Sequence, residues 1–356
     1  MPGAVLVSGS NGFIAGHLVD GLLAKGYPVI GTVRSMKKSE PFLKYFEKKY
    51  PEGKIQYVIV ERIDEEGAFD QVFKDHPEIE YVMHCAASTA IGTTKEAELK
   101  NVFLKASVNG TLSILKSIKK LAPQVKNVVM TSSIAAMAKG NFTKGDESYV
   151  LNNKSWNDST WEQAEKKHDQ LKAYAVAKTT AERSAWDFVK NEKVNFKFST
   201  VNPNVVVGPQ LMEEQVDKVL NSSNQWIIDA VQKVNLSSTS FQVMPVFGIV
   251  DVKDVVNFHI FAIEQESMAG WRLLLQEGPF ISTQSILNSL NENVPQLRGK
   301  IAKGDPTETL DPKLVPKIDV SNVLETAGDY KLTPIDETLK ALFEQYLKHH
   351  TLEVAP

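Results

Sequence analysis

The chain has 356 residues, 42% of them apolar and 23% charged, with a formal net charge of −3 and a pI near 6.2. That is the balance of a globular protein long enough for one large α/β domain or a domain with a smaller companion, and it leaves no basic surplus for a nucleic-acid backbone or an anionic membrane. The single cysteine, Cys85, cannot close an intrachain disulfide, and no apolar run reaches spanning or leader length, so a reducing, cytoplasmic setting without membrane partners is the expectation.

From Ala4 to about Val201, short β-branched runs alternate with longer amphipathic segments. The first strand, AVLVS, runs straight into Gly9, Gly12 and Ala15, spaced G-x-x-G-x-x-A. A helix follows over Phe13 to Lys25, with Ile14, Leu18 and Leu22 recurring every four residues and Gly26 as its stop. A strand, a tight glycine turn and a helix N-terminus together suit a pyrophosphate, although such a turn alone also serves as a plain connection. The second strand, YPVIGTV, leads into RSMKK. NAD-selective sites place a carboxylate here; this chain places Arg34, Lys37 and Lys38, which suits a 2′-phosphate or, more blandly, a solvated basic loop.

Tyr and Lys four residues apart occur three times: Tyr45 with Lys49, Tyr50 with Lys54, and Tyr174 with Lys178. Such a pair meets only on a helix. Pro51 and Gly53 make the second a turn, and the first lies in a charged segment that reads as solvated surface. The strands KIQYVIV, IEYVMHC and KNVVMTS follow in order, the last ending in Thr131, Ser132 and Ser133. Hydroxyls at the carboxyl end of a strand face the ligand crevice of an open α/β sheet. The third Tyr/Lys pair sits in the helical stretch LKAYAVAKTTAERSAWDFV, after that strand, and can share a face beside Ser133. FKFSTV completes a strict alternation, which predicts a doubly wound parallel sheet of the Rossmann type.

Beyond Pro209 the chain becomes rich in Asn, Ser and Gln and loses its alternation, while MPVFGIVDVKDVVNFHIFAIE reads as a strand and helix returning to the larger domain. The expected organisation is a dinucleotide-binding domain over 1–208 with a return segment near 243–263, and a mainly substrate-binding region over 209–356. No H-E-x-x-H or G-x-S-x-G occurs, one cysteine excludes the usual zinc clusters, and His349 with His350 reads as a solvated tail, so no metal is expected.

SGSNGFIAG, TSS, YAVAK and VNPNVVVGP, in this order and spacing, resemble the extended short-chain dehydrogenase/reductase superfamily. VRS, ESYVLNNKSWND and VDVKDVVNFHI resemble its dihydroflavonol-4-reductase-like branch, and within that the fungal NADPH-dependent methylglyoxal, isovaleraldehyde and carbonyl reductases. The resemblance implies reduction of aldehydes and ketones by NADPH, with oxidation of secondary alcohols as the alternative direction. It assigns Tyr174 as general acid, Ser133 as the group that binds the carbonyl, and Lys178 as the cation that holds the ribose and stabilises the phenolate. It places Gly9, Asn11, Gly12, Phe13, Ile14, Ile63 and Ala86 against the cofactor, Arg34 and Lys38 on its 2′-phosphate, and Pro203 and Val206 at the nicotinamide. Ser88 and Val205 would line the substrate pocket, with apolar residues of 225–243 beside them. His84 would lie near the cofactor in a structural rather than catalytic role. One departure stands out: Arg62 occupies the place where the family has an Asp that contacts adenine, with Asp64 two residues on.

Overall fold

The computed structural model describes residues 2–87, 107–139, 146, 148–166, 169–217, 220–237, 247–328 and 330–354. The chain runs through β1 (Ala4–Ser8), α1 (Phe13–Ala24), β2 (Val29–Val33), α2 (Glu40–Lys49), β3 (Ile55–Ile59), α3 (Asp70–Asp75), β4 (Ile79–His84), α4 (Gly110–Leu121) and β5 (Asn127–Thr131). It continues with β6 (Val150–Leu151), α5 (Trp161–Lys166), α6 (Gln170–Asn191), β7 (Lys197–Pro203), β8 (Val205–Val207) and α7 (Ser222–Gln232). The last part comprises β9 (Phe247–Asp251), α8 (Val252–Glu264), β10 (Arg272–Leu275), β11 (Glu277–Ile281), α9 (Thr283–Asn293), β12 (Lys317–Ile318), α10 (Ser321–Thr326) and α11 (Ile335–His349). These elements form two compact units, the first made of Met1–Phe142, Asn152–Asn202 and Val256–Leu274, the second of Thr143–Leu151, Pro203–Val255 and Leu275–Pro356.

In the first unit, seven strands lie in the order β10-β7-β5-β4-β1-β2-β3, and the pairings from β7 across to β3 are parallel. All five residues of β1 and of β2 are buried, as expected of strands covered on both faces. Edge strand β3 is only partly buried. Leu6, Ile30, Val82 and Val128 pack with Phe69, Phe73, Ile114 and Ile118 into one core. The chain winds outward from β1 through β2 to β3, then restarts at β4 on the other side of β1. The carboxyl ends of β1 and β4 therefore flank a topological switch point, where open α/β sheets bind their ligands.

Helix α6 carries the third Tyr/Lys pair. Asp169 caps it, Oδ1 accepting from Lys172 N at 2.9 Å. Ala173, Ala177, Ala181 and Ala185, four residues apart, form a buried stripe whose small side chains let the helix axis lie close to its neighbours. Tyr174 and Lys178 lie beside that stripe.

The second unit holds a three-stranded sheet, β11-β9-β8, with β8 and β9 parallel and β9 and β11 antiparallel. Its core brings Ile227, Ile228 and Val231 of α7 together with Leu287, Leu290, Leu339 and Phe343. The strand expected to return to the larger domain is β9; it pairs with β8 and β11 and lies in the second unit. Only the helix that follows, from Val256 on, belongs to the first unit.

Candidate active site

Because β1, β2, β4 and β5 run parallel, the segments leaving their carboxyl ends emerge along one edge of the sheet: Gly9 to Gly12, Arg34 to Lys38, Ala86, and Ser132 with Ser133. Gly9 adopts φ +67°, and a Cβ there would stand 3.1 Å from Ala86 Cα, so both backbone conformation and space require glycine. Gly12 N donates to Gly9 O at 2.9 Å to close the turn, and α1 begins at Phe13 with no acidic residue in its first turn. Asn11, Phe13 and Ile14 are half-buried around that helix N-terminus. These are the features a pyrophosphate requires: bare backbone, amide donors and the positive end of a helix dipole.

Arg34 and Lys38 are both exposed just past β2, and no carboxylate pairs with either among the described residues. Their charges remain available to an anionic ligand. Arg62 is different: its guanidinium grips Asp64 through two bonds of 3.1 and 3.0 Å and approaches Glu65 at 3.7 Å. Asp64, the carboxylate two residues on, is thus already held by Arg62. Ile63 turns inward between them, in line with the side of α4 where Gly110 leaves room for it.

His84, at the end of β4, is buried, and Nδ1 shares a hydrogen bond of 2.9 Å with Ser8 Oγ, which also accepts from Ala86 N at 3.0 Å. The ring thereby ties β1 to the segment after β4 directly beneath the Gly9 turn, a structural role. Burial, aided by the nearby Lys178 charge, pushes its pKa down from 6.5 to about 3. Folded His84 stays neutral over that range while the unfolded chain binds its proton, so this group withdraws stability as pH falls from 6.5 toward 3. His84→Asn, whose Oδ1 can replace Nδ1, is expected to make the fall in stability shallower by about 1.4 kcal/mol per pH unit, read by urea unfolding between about pH 6 and 4.5. An unchanged slope would mean that His84 titrates alike in the folded and unfolded chains.

Ser133 opens a short 3-10 turn, Ile134–Ala136, against which α6 packs. Its Oγ accepts from Ala135 N at 3.1 Å, which leaves the hydroxyl hydrogen to donate elsewhere. Half-buried Tyr174 and buried Lys178 share a face of α6, with Lys178 Nζ 5.9 Å from the phenol ring centroid. Nζ donates to Thr131 O at 3.2 Å, anchoring the ammonium to the end of β5. A buried ammonium has three donors, and Thr131 O takes one among the described residues, so two can serve a polyol such as ribose.

The other two Tyr/Lys pairs sit elsewhere in this unit. Tyr45 and Lys49 do meet on α2, at 3.2 Å, but Lys49 is held by Asp20 on an exposed face. Tyr50 begins a turn closed by Gly53 N on Tyr50 O at 2.8 Å, and its phenol donates to Asp20.

Pro203, Val205 and Val206 belong to the second unit, Pro203 ending β7 and both valines on β8. Of the apolar residues within 225–243, Ile227, Ile228, Val231 and Val234 are buried in that unit's core, because α7 turns its apolar stripe inward; Gln225 and Trp226 remain half-exposed. Ser88 and 238–243 lie outside the described residues. Among the described residues no cluster of His, Cys, Asp and Glu could hold a metal, and no helix is long and apolar enough to cross a membrane.

The chain belongs to the NAD dependent epimerase/dehydratase family, whose pattern matches residues 5–270. Within it, the chain is 38% identical over 311 residues to the NADPH-dependent methylglyoxal reductase of Saccharomyces cerevisiae, covering 85% of this chain and 86% of that one. A ketoreductase of Aspergillus niger is 33% identical over 306 residues, covering 86% and 87%. The crystal structure of yeast methylglyoxal/isovaleraldehyde reductase complexed with NADPH superposes with a TM-score of 0.87 at 34% identity, over 97% of this chain and 98% of that one.

Proposed function

We propose that this protein is an NADPH-dependent carbonyl reductase that converts aldehydes and ketones to alcohols. One observation carries the reading: a buried ammonium and a phenol share a helix face packed against the turn that presents a serine hydroxyl. NADPH, when bound, supplies the hydride. Tyr174 gives its proton to the carbonyl oxygen, Ser133 donates a hydrogen bond to the same oxygen, and Lys178 stabilises the phenolate left behind. Gly9 and Gly12 with the α1 amides hold the pyrophosphate, and Arg34 with Lys38 holds the 2′-phosphate. The similar fungal reductases support this chemistry over epimerisation, which needs no net hydride donor and which membership of the family by itself leaves open.

The substrates we assign are methylglyoxal-like dicarbonyls, branched aldehydes and prochiral ketones. NADPH oxidation across a panel of these compounds is the test, with turnover of the dicarbonyls and aldehydes expected and sugar nucleotides inert. Epimerisation of a sugar nucleotide with NAD, and no carbonyl reduction, would overturn the reading.

A further inference from the structure

Glu182 lies one turn beyond Lys178 and two beyond Tyr174 on α6, and its carboxylate is fully buried. Donors surround it. Arg272 Nε and Trp186 Nε1 at 3.4 Å reach Oε1, Ser132 Oγ at 2.5 Å and Asn202 Nδ2 at 2.7 Å reach Oε2, and Thr200 Oγ1, 3.3 Å from Oε1, donates at 2.7 Å to Asn202 Oδ1. Arg272 balances the charge, so the pair adds no net charge near Lys178. The guanidinium also lies 3.6 Å from the centroid of Trp156 and donates to the carbonyls of Asn153 and Ser155.

All of these contacts converge on the serine turn. Ser132 precedes Ser133, and Asn202 Nδ2, besides binding Glu182, donates to Ser133 O at 3.3 Å. From the far side, Asn157 grips Ala135 O at 2.9 Å through Nδ2 and Ala136 O at 3.0 Å through its backbone N, and it belongs to the 153–157 segment that Arg272 holds. One carboxylate thus joins the helix carrying the proton donor to the strand end carrying the carbonyl-binding hydroxyl, where a buried pair meant only for stability could be apolar.

We propose that Glu182, paired with Arg272, is a positioning residue of the reduction: it sets Ser133 against Tyr174. The proposal rests on the assignment of Ser133, Tyr174 and Lys178 made above. Glu182→Gln keeps the size but turns an amide donor toward other donors, so part of the cluster must let go. The measurement uses NADPH and the aldehyde turned over fastest in the panel. Glu182→Gln is expected to lower kcat by about 10- to 100-fold while NADPH affinity stays within about twofold. In a Ser133→Ala background the same substitution should cost less than about threefold, because the group it positions is gone. Ser132→Ala, which removes one contact of the cluster, should show the same pattern with a smaller loss, and it decides the matter should Glu182→Gln not fold. Equal losses in both backgrounds, or an unchanged kcat, would overturn the role of Glu182. Full turnover by Ser133→Ala alone would instead overturn the site assignment, and this proposal with it.

Discussion

Replacing Tyr174 by phenylalanine is expected to lower kcat by about 10²- to 10⁴-fold, the span that a positioned general acid contributes, with NADPH affinity nearly unchanged. The ring stays and only the proton donor leaves, so packing against Ala164, Ala173 and Ala177 persists. Tyr45→Phe and Tyr50→Phe are the controls. Each removes an exposed or half-buried contact with the Lys49 and Asp20 pair, worth about 1 kcal/mol of stability at most and no turnover. Steady-state kinetics of the three variants beside cofactor titration checks this. Loss of turnover in Tyr45→Phe with a normal Tyr174→Phe would place the chemistry on α2.

Those controls also show how far spacing alone reaches. Tyr45 and Lys49 are helical and touch, so the four-residue interval does not separate them from Tyr174 and Lys178. Chain order does, because only the third pair follows β5, whose end leads into Ser133. Strands β1 and β2 were legible because burial on both faces demands unbroken apolar runs, and Gly9 because a side chain there would meet both a positive φ and Ala86. The return strand β9 was legible as a strand but not in its pairing, since hydrogen-bond partners distant in sequence leave no mark on the local pattern. Glu182 and Arg272 were missed altogether. In an Ala-rich helix dotted with Lys, Glu and Arg, a carboxylate reads as solvated surface; the available signal was its place four residues beyond Lys178, continuing the buried face rather than the exposed one occupied by Arg183. Arg272 was hidden in the same way, a single charge opening the apolar run of β10.

The cofactor preference follows from charge at one place. Arg34 and Lys38 stand exposed beyond β2 with no carboxylate paired to them among the described residues, whereas Arg62, the next guanidinium along this edge, is already held by Asp64 and Glu65. NADPH is therefore expected to bind more tightly than NADH. A charge-assisted hydrogen bond to phosphate is worth about 1.5 to 3 kcal/mol, or about 10- to 150-fold in affinity. Arg34→Ala should lose that factor for NADPH and leave NADH almost unchanged, because NADH lacks the 2′-phosphate. Arg34→Asp should go further, since a carboxylate repels the phosphate and accepts hydrogen bonds from the ribose hydroxyls of NADH. Arg62→Ala is the contrasting control: its charge is neutralised by its own neighbours, so the ratio of the two affinities should hold. Fluorescence titration of both cofactors against the four proteins measures each term. Equal affinities in the unaltered protein, or an Arg34→Ala loss identical for NADH and NADPH, would move the 2′-phosphate site away from the end of β2.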